Sequence, residues 1–261
     1  MNENEIQIPA LSRDVAFMVV SCDKYSDLWP PFFHCLRKYW PDCPYPVYLV
    51  TNNKKCDADD VRVINIGEDR SYSDNLRAAI SKIEQPWVIL WLEDVFISKI
   101  VDTRRFVSII EDAQSVPVGY LKISPDLPLS YDDDSRREIG PIPKGVRYRS
   151  AIGLSLYRVD TLKKLLIPNA SAWDLDTSTA SNELDEPFYA LTSKAAGRPP
   201  IQWAHGVIKG RWYWPAIGFL KREGFGETLK GRPVLGISAF LYIRVFKFHN
   251  FLLRTLKKHW Y

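Results

Sequence analysis

The sequence lacks the features that mark several classes of protein. Its four cysteines include no C-x-x-C pair, so we expect reduced, mostly buried thiols rather than a disulfide or zinc framework. The first residues have neither the basic nor the apolar segment of a secretory signal, which predicts a cytoplasmic protein. Nothing in the composition of the 261 residues, 46% of them hydrophobic, indicates disorder or a collagen-like repeat.

Clustered positive charge is missing from most of the chain. Residues 231–261 contain six Lys or Arg and no acid, whereas residues 1–230 contain 29 basic and 31 acidic residues. A nearly neutral body argues against nucleic-acid binding, which needs clustered Lys and Arg over the core. We therefore expect one domain over residues 1–230 and a specialised basic segment over residues 231–261.

The first hundred residues alternate between strand and helix patterns. Strands are predicted for the apolar runs DVAFMVVSCD, PVYLVTN, VRVINIG and PWVILWL. The last run is apolar on both faces, as in a parallel sheet covered by helices. Helices are predicted for SDLWPPFFHCLRKYW, with Ser26 or Asp27 as N-cap, and for SYSDNLRAAISKI, which begins with Ser and Asp as capping candidates. The pattern predicts an α/β fold.

Two carboxylates, Glu93 and Asp94, interrupt the apolar stretch VILWLEDVFI at the end of the most apolar strand. The chain continues at once into Val95, Phe96 and Ile97 without Gly, Pro or Asn, so a turn open to solvent is not indicated. In open α/β sheets ligands bind outside the carboxyl ends of the strands. A carboxylate there has to be paired, protonated or bound to a metal, so we predict a functional site.

The order of these elements, ending in the acidic pair of LWLEDVFI, resembles the Rossmann-like GT-A fold of nucleotide-sugar-dependent glycosyltransferases of bacterial polysaccharide biosynthesis. The resemblance covers about residues 14–220. It implies a mixed, mostly parallel sheet with helices on both faces, a nucleotide-binding half at 14–100 and an acceptor-binding half at 101–230. It also implies a nucleotide-sugar donor, with a UDP-sugar favoured, and a divalent cation, Mn or Mg. The resemblance implies that Asp94 is the ligand of this cation, although Glu93-Asp94-Val95 keeps only one acid of the family's D-x-D motif.

A second motif, WAHGVIKGRW at 203–212, is similar to the H-x-x-G-x-x-K-P-W motif of retaining GT-A enzymes. The resemblance implies that His205 is a metal ligand and that Lys209 and Arg211 contact the donor diphosphate, since an imidazole binds Mn and Lys or Arg neutralises phosphate. From the residues alone, a tight turn with tryptophans packed in the core is the alternative.

The segment SAWDLDTSTASNELDEPFY, at 171–189, looks like the acceptor side of GT-A enzymes. Trp173 is expected to stack on an acceptor sugar, and Asp174 or Asp176 to take the proton of the acceptor hydroxyl, as inverting transfer requires. An ordinary polar loop is the alternative. Residues Glu183 to Glu186 are predicted to form the acidic first turn of the next helix.

The remaining donor contacts that the resemblance implies lie after the first strand and in the second capped helix. They are Ser21, Cys22, Asp23 and Tyr25 for the nucleoside, and Ser73 and Arg77 on the helix. An aromatic ring can stack on a pyrimidine, although any capped turn also contains Ser and Asp, and Arg77 could be a surface residue.

Two other segments have features of a site. Asp132 and Asp134 have D-x-D spacing within a polar segment that reads as a loop. The stretch VRYRSAIGLSLYRV, at 146–159, is predicted to be a strand that brings the small residues of Ser150 to Gly153 near the site.

Residues 240–261 have a helical pattern with a basic arc and an apolar arc. The basic arc comprises Arg244, Lys247, Asn250, Arg254, Lys257 and Lys258, and the apolar arc comprises Leu241, Val245, Phe248, Leu252, Leu253 and Leu256. Such a helix suits the surface of an anionic membrane, whereas the run 233–243 is too short to span a bilayer. A terminal helix packed on the body is the alternative.

Together these patterns predict a cytoplasmic glycosyltransferase, peripheral on the inner face of the cell membrane, with a glycan or lipid-linked acceptor. A sugar-1-phosphate nucleotidyltransferase shares the α/β core but would have a Gly-rich basic loop after the first strand, where SCDKYSDLW has no Gly. A non-catalytic membrane-surface assembly protein that retains the fold is the other alternative.

Overall fold

A computed structural model describes residues 13–124 and 137–255 and contains one large central sheet. The strands in chain order are β1 (Val15–Val20), β2 (Val47–Thr51), β3 (Val61–Asn65), β4 (Trp87–Leu92), β5 (Val95–Ile97), β6 (Tyr120–Lys122), β7 (Ile139–Pro141), β8 (Ser155–Arg158), β9 (Phe188–Leu191), β10 (Trp203–His205), β11 (Val207–Ile208) and β12 (Arg211–Trp212). The helices are α1 (Trp29–Tyr39), α2 (Tyr72–Ile80), α3 (Thr103–Gln114), α4 (Val159–Leu165), α5 (Ala172–Thr177), α6 (Ser193–Gly197), α7 (Trp214–Arg222) and α8 (Ile237–Thr255).

The central sheet has the strand order β3-β2-β1-β4-β8-β6-β9-β7. Six of its strands run in one direction, whereas β8 and β7 run in the opposite direction. Two small antiparallel pairs, β5 with β10 and β11 with β12, lie outside this sheet. The predicted mixed, mostly parallel α/β sheet is confirmed.

The core has two layers because alternate residues of each strand point to opposite faces of the sheet. Along β1, Phe17 and Val19 pack in the layer that includes α1 and α3, whereas Ala16 and Met18 pack in the layer that includes α2 and α4. Every residue of β1 is buried. Helices therefore cover both faces, as the unbroken apolar strands predicted.

The four strands predicted in the first hundred residues are confirmed, and so is the capped helix α2, where the Ser71 hydroxyl accepts a hydrogen bond from the Asp74 N–H at 3.0 Å. The predicted N-cap of α1 is wrong. Residues Asp23–Leu28 form a 3-10 helix, and α1 begins at Trp29. The Asp27 side chain instead forms an ion pair with Arg232.

Two predictions in the second half are also wrong. The strand predicted at 146–159 is confined to β8, because Tyr148 (φ 61°) and Leu154 (φ 49°) have left-handed backbones that a strand cannot contain. Residues Glu183 to Glu186 do not begin a helix. They lead into β9, and Pro187 favours an extended backbone at Glu186.

The C-terminal helix is confirmed as α8 within the described residues. The last six residues of the predicted helix lie outside them, as do Asp132 and Asp134. All four cysteines are free thiols. No helix among the described residues is both long and apolar enough to cross a bilayer.

Candidate functional site

The acidic pair forms a two-residue turn between β4 and β5, at the carboxyl end of β4. The turn is closed on its core side by Trp91, whose indole N–H donates a hydrogen bond to the Val95 carbonyl at 2.7 Å. Trp91 itself is fully buried against Phe17. The aromatic core therefore fixes the backbone on both sides of Glu93 and Asp94.

The opposite side of the turn rests on Gly206, whose N–H donates to the Asp94 carbonyl at 2.6 Å. A Cβ at this position would overlap the ring of Phe96 and lie 3.1 Å from the Asp94 carbonyl oxygen. Only glycine allows this close approach. Gly206, the first glycine of WAHGVIKGRW, thus holds the acidic turn in place.

Burial makes the ionisation of both carboxylates unfavourable. Burial, followed by the neighbouring charge of Asp94, raises the pKa of Glu93 well above its usual range. Burial raises the pKa of Asp94 to about 7, although backbone hydrogen bonding and the charge of Arg232 oppose that increase. Neither carboxylate forms a salt bridge with Lys or Arg in the described part of the chain. The turn therefore has an unmet demand for positive charge.

The segment after β1 lies beside this turn because β1 and β4 are parallel neighbours, with Val20 paired to Leu92. Burial, and then the charge of Glu93, raises the pKa of the Cys22 thiol. Burial also raises the pKa of Tyr25, with smaller contributions from Glu93 and Asp94. The structure thus brings the predicted nucleoside segment and the acidic turn together.

Two of the predicted nucleoside contacts, Asp23 and Ser21, form hydrogen bonds with residues outside the segment Ser21 to Tyr25. The Asp23 carboxylate accepts hydrogen bonds from the backbone N–H groups of Asn52, Asn53 and Lys54 at 3.0–3.2 Å, which fixes the loop after β2. Ser21 accepts a hydrogen bond from the Trp29 indole at 2.8 Å. These bonds fix the segment on which the nucleoside is predicted to lie.

Arg232 is the main site residue that the sequence did not reveal. Its guanidinium donates to both carboxylate oxygens of Asp27, at 2.7 and 2.6 Å, and lies 4.3 Å from the centre of the Tyr25 ring. Its charge lowers the pKa of Glu93 and of Asp94, against the effect of burial. In the sequence Arg232 belongs to the basic segment 231–261, and no local pattern indicates its contact with Asp27.

On the α2 side of the sheet, Tyr72 and Asp176 face the same region. Burial raises the pKa of Tyr72, and the charges of Asp176, Glu93 and Asp94 add to that increase. The Tyr72 hydroxyl is buried and has no hydrogen-bond partner among the residues that the structure describes. Asp176 accepts a hydrogen bond from the Ile152 N–H at 2.6 Å. Asp176 is therefore the carboxylate of α5 that points inward, toward the Ile152 backbone and Tyr72.

The other two acceptor candidates lie on the outer surface of α5. Asp174 forms a capping box with Ser171, whose hydrogen bonds lower the pKa of the Asp174 carboxyl. Trp173 is 68% exposed. The capping box explains why the sequence has an acid at position 174, whereas the exposed indole of Trp173 is open to a ligand.

The two candidates on α2 are directed away from the acidic turn or buried. Arg77 donates to the Leu166 carbonyl at 2.5 Å, at the end of α4. Ser73 is fully buried, and its backbone N–H donates to the Ala170 carbonyl at 3.1 Å. Both residues connect α2 to the segment that precedes α5.

Lys209 and Arg211 lie at the tip of the β11–β12 hairpin. Lys209 (φ 51°) and Gly210 (φ 75°) form its two-residue turn, in which a positive φ is required at both positions. Both basic side chains are exposed. The structure thus matches the alternative prediction for this motif, a tight turn with tryptophan packed in the core. The turn is Lys209-Gly210, and Trp212 is fully buried.

The predicted metal ligands lie on neighbouring segments, since β10 pairs His205 with Val95, immediately beyond Asp94. Among residues 13–124 and 137–255, no group of three or more His, Cys, Asp or Glu is placed to hold a metal ion. Mg²⁺ and Mn²⁺ take one or two protein ligands when substrate phosphates and water supply the others. The anionic, partly buried turn fits such an ion.

No protein family profile and no curated protein sequence matches the chain. Similar solved structures include S. aureus TarS in complex with UDP-GlcNAc (12% identity, TM-score 0.46, covering 69% of this chain and 56% of that chain). CMP:2-keto-3-deoxy-manno-octonic acid synthetase complexed with CTP is also similar (13% identity, TM-score 0.46, covering 68% of this chain and 89% of that chain). The bifunctional IspDF from Campylobacter jejuni is similar as well (14% identity, TM-score 0.39, covering 71% of this chain and 51% of that chain).

The chain spans 37–61% of the TarS chains that it resembles. At these identities and TM-scores, the resemblance concerns the α/β fold.

Proposed function

We propose that this chain is a glycosyltransferase that binds a nucleotide-sugar, with a UDP-sugar favoured, at the carboxyl edge of β1 and β4. It transfers the sugar to a glycan or lipid-linked acceptor in bacterial surface polysaccharide synthesis. The observation that carries the proposal is the acidic turn, in which Glu93 is buried and Asp94 is half-buried, and neither forms a salt bridge to Lys or Arg in the described residues. A cation bound with a diphosphate would meet that demand for positive charge.

In this proposal the nucleoside lies on the segment Ser21 to Tyr25, and the sugar lies between the acidic turn and Asp176. The acceptor oxygen attacks the anomeric carbon, the bond from that carbon to the diphosphate oxygen breaks, and the nucleoside diphosphate leaves with the bonding electrons. In an inverting reaction Asp176 takes the acceptor proton. Mn²⁺ or Mg²⁺ held by Asp94, with His205, would neutralise the leaving diphosphate.

Nucleotide binding is the first test. In a thermal-shift assay with UDP, GDP and CDP, with and without Mn²⁺, one nucleotide should raise the melting temperature, because a ligand of the native state stabilises it. Asp94→Ala should abolish the Mn²⁺-dependent part of the shift, and Asp160→Ala, at an exposed carboxylate on α4, should not. A shift that Asp94→Ala leaves intact would remove the acidic turn from the proposal.

The same samples separate the alternatives. A sugar-1-phosphate nucleotidyltransferase would release pyrophosphate from a nucleoside triphosphate, whereas a glycosyltransferase would release a nucleoside diphosphate from a nucleotide-sugar. The glycine-free 3-10 helix after β1, Asp23–Leu28, favours the glycosyltransferase, since the nucleotidyltransferase reading requires a Gly-rich basic loop there. No shift with any nucleotide would favour a non-catalytic assembly protein.

We also propose that α8 contacts the anionic inner surface of the cell membrane, where a lipid-linked acceptor would lie. Five apolar side chains of this helix are 41–67% exposed, and at 100° per residue they fall within an arc of about 80°. They are Ile237, Leu241, Val245, Phe248 and Leu252. Arg244 is also exposed, and the helix contains no acid. An apolar stripe beside basic residues suits the interface of anionic lipids.

Vesicle co-sedimentation tests this contact. The protein should bind vesicles that contain phosphatidylglycerol more strongly than vesicles of phosphatidylcholine alone. Phe248→Asp should reduce binding strongly, because it puts a charge in the apolar stripe. His249→Asp makes the same charge change at an exposed neighbour outside the stripe and should reduce binding less. Equal losses in the two variants would mean that the apolar stripe is not inserted.

A further inference from the structure

The residues that follow α7 return to the acidic turn. After a 3-10 helix at Thr228–Gly231, the Trp212 N–H donates to the Pro233 carbonyl and the Leu235 N–H donates to the Trp212 carbonyl, both at 2.9 Å. Val234 thereby forms a parallel bridge with Trp212. The same hairpin begins beside Gly206, which contacts the Asp94 carbonyl. The backbone of Arg232 is thus tied to the acidic turn.

The Arg232 side chain is held in one orientation. Asp27 accepts its Nε and Nη2 hydrogen bonds, and the Lys24 carbonyl accepts a further bond from Nη2 at 3.1 Å. The Tyr25 side chain is a further hydrogen-bonding neighbour of the guanidinium, and the five N–H donors of an arginine exceed the three bonds to Asp27 and Lys24. Only 11% of the side chain is exposed, so its position is already determined before a ligand binds.

Arg232 links two parts of the proposed donor site. Its guanidinium lies against the Tyr25 ring in the nucleoside segment. Its backbone leads into Pro233, which is paired with Trp212, and the N–H of the next residue, Tyr213, donates to the Gly206 carbonyl at 2.8 Å, beside the acidic turn. A donor with its nucleoside on the first segment and its sugar beyond the turn would have its diphosphate between these two places, near Arg232.

We infer that Arg232 binds the diphosphate of the donor and that Asp27 positions its guanidinium. Lys209 and Arg211, which the sequence motif suggested for this role, are exposed on a hairpin tip, whereas Arg232 is preorganised and partly desolvated. Charge-assisted hydrogen bonds to phosphate are strongest under those conditions. The inference rests on the proposed function, because it assumes a nucleoside diphosphate donor.

The test compares the affinities for UDP and UMP by calorimetry in the presence of Mn²⁺, or for the corresponding GDP or CDP pair if that base is bound. The ratio of the two dissociation constants isolates the second phosphate. Arg232→Met should reduce the UDP preference at least tenfold. Lys209→Met and Arg211→Met, the matched controls, should leave it unchanged. Asp27→Asn, which keeps the cation but weakens its anchor, should reduce it by a smaller factor.

The outcomes distinguish this inference from the proposed function. If the unaltered protein binds no nucleotide, the proposed function fails. If it prefers UDP and Arg232→Met keeps that preference, only the inference fails, and loss in the Lys209 or Arg211 variant would transfer the role to the hairpin tip. Should Arg232→Met not fold, Arg232→Lys keeps the charge without the planar fork, and an unchanged ratio in that variant and in Asp27→Asn would overturn the inference.

Discussion

Replacing Asp94 by Asn should stabilise the ligand-free protein at pH 8 but much less at pH 5. The two side chains have the same shape, but Asn carries no charge and avoids the cost of a desolvated carboxylate. Burial raises the pKa of Asp94 to about 7, whereas an Asp in the unfolded chain has a pKa of about 3.9. The folded state therefore holds a proton that the unfolded state has lost between these two values.

The sign of the effect follows from this proton. Where the folded state binds more protons than the unfolded state, stability falls as the pH rises. Asp94 thus contributes no penalty below about pH 4, an increasing penalty up to about pH 7 and a constant one above it. Between pH 5 and pH 8 the change has a ceiling of about 3 kcal/mol, since each pKa unit corresponds to about 1.4 kcal/mol. Partial exposure and coupling to Glu93 reduce it to roughly 1–2 kcal/mol.

Urea unfolding followed by tryptophan fluorescence at pH 5 and pH 8 measures the difference. The stability gain of Asp94→Asn should be larger at pH 8 than at pH 5 by that amount, and Mn²⁺ with nucleoside diphosphate should stabilise the original protein but not the variant. Asp160→Asn, at a carboxylate that is 72% exposed, serves as control and should show no such pH dependence. If the gain for Asp94→Asn were the same at both pH values, the carboxylate would not be held in a desolvated site.

Two further predictions concern the residues around the turn. Gly206→Ala should destabilise the protein by about 1–3 kcal/mol, because a Cβ would overlap the ring of Phe96, and it should also weaken nucleotide binding; thermal unfolding and calorimetry would show both, and unchanged values would contradict the close approach. Asp176→Asn should lower the rate of sugar transfer by about a hundredfold or more, as loss of a general base does, whereas Asp174→Asn should leave the rate unchanged and affect only α5; equal losses would contradict the distinction drawn from their contacts.

Patterns that act locally predicted much of this fold. The apolar runs of β1 and β4 indicated buried parallel strands, and the position of Glu93 and Asp94 at the end of β4 indicated a site at the carboxyl edge. The capping box of Ser171 and Asp174 was also visible in the sequence as S-x-x-D. That pattern predicts Asp174 as part of the helix cap, which leaves Asp176 as the acceptor candidate.

Contacts between distant segments could not be predicted in the same way. Asp27 has the sequence context of an N-cap, and its role changed because Arg232, far along the chain, binds both of its oxygens. The basic residues of WAHGVIKGRW show a different limit, because they have the composition of a phosphate site, yet Lys209 and Gly210 form the turn of a hairpin. Tertiary contact decides the use of Asp27, whereas local backbone conformation decides the use of Lys209.

The charges of the acidic turn and of Arg232 are complementary. Two adjacent carboxylates at a sheet edge disfavour their own ionisation, and the charge of Arg232 offsets part of that cost, while Asp27 holds the guanidinium by two hydrogen bonds. The result is a site with a guanidinium fixed by Asp27 and two carboxylates with raised pKa values, whose charged forms a further cation would favour. A ligand that brings both a divalent ion and a diphosphate satisfies the turn and Arg232 at once, whereas a metal ion alone satisfies only the turn. Nucleotide and metal should therefore bind with positive cooperativity, and more strongly as the pH rises through 7.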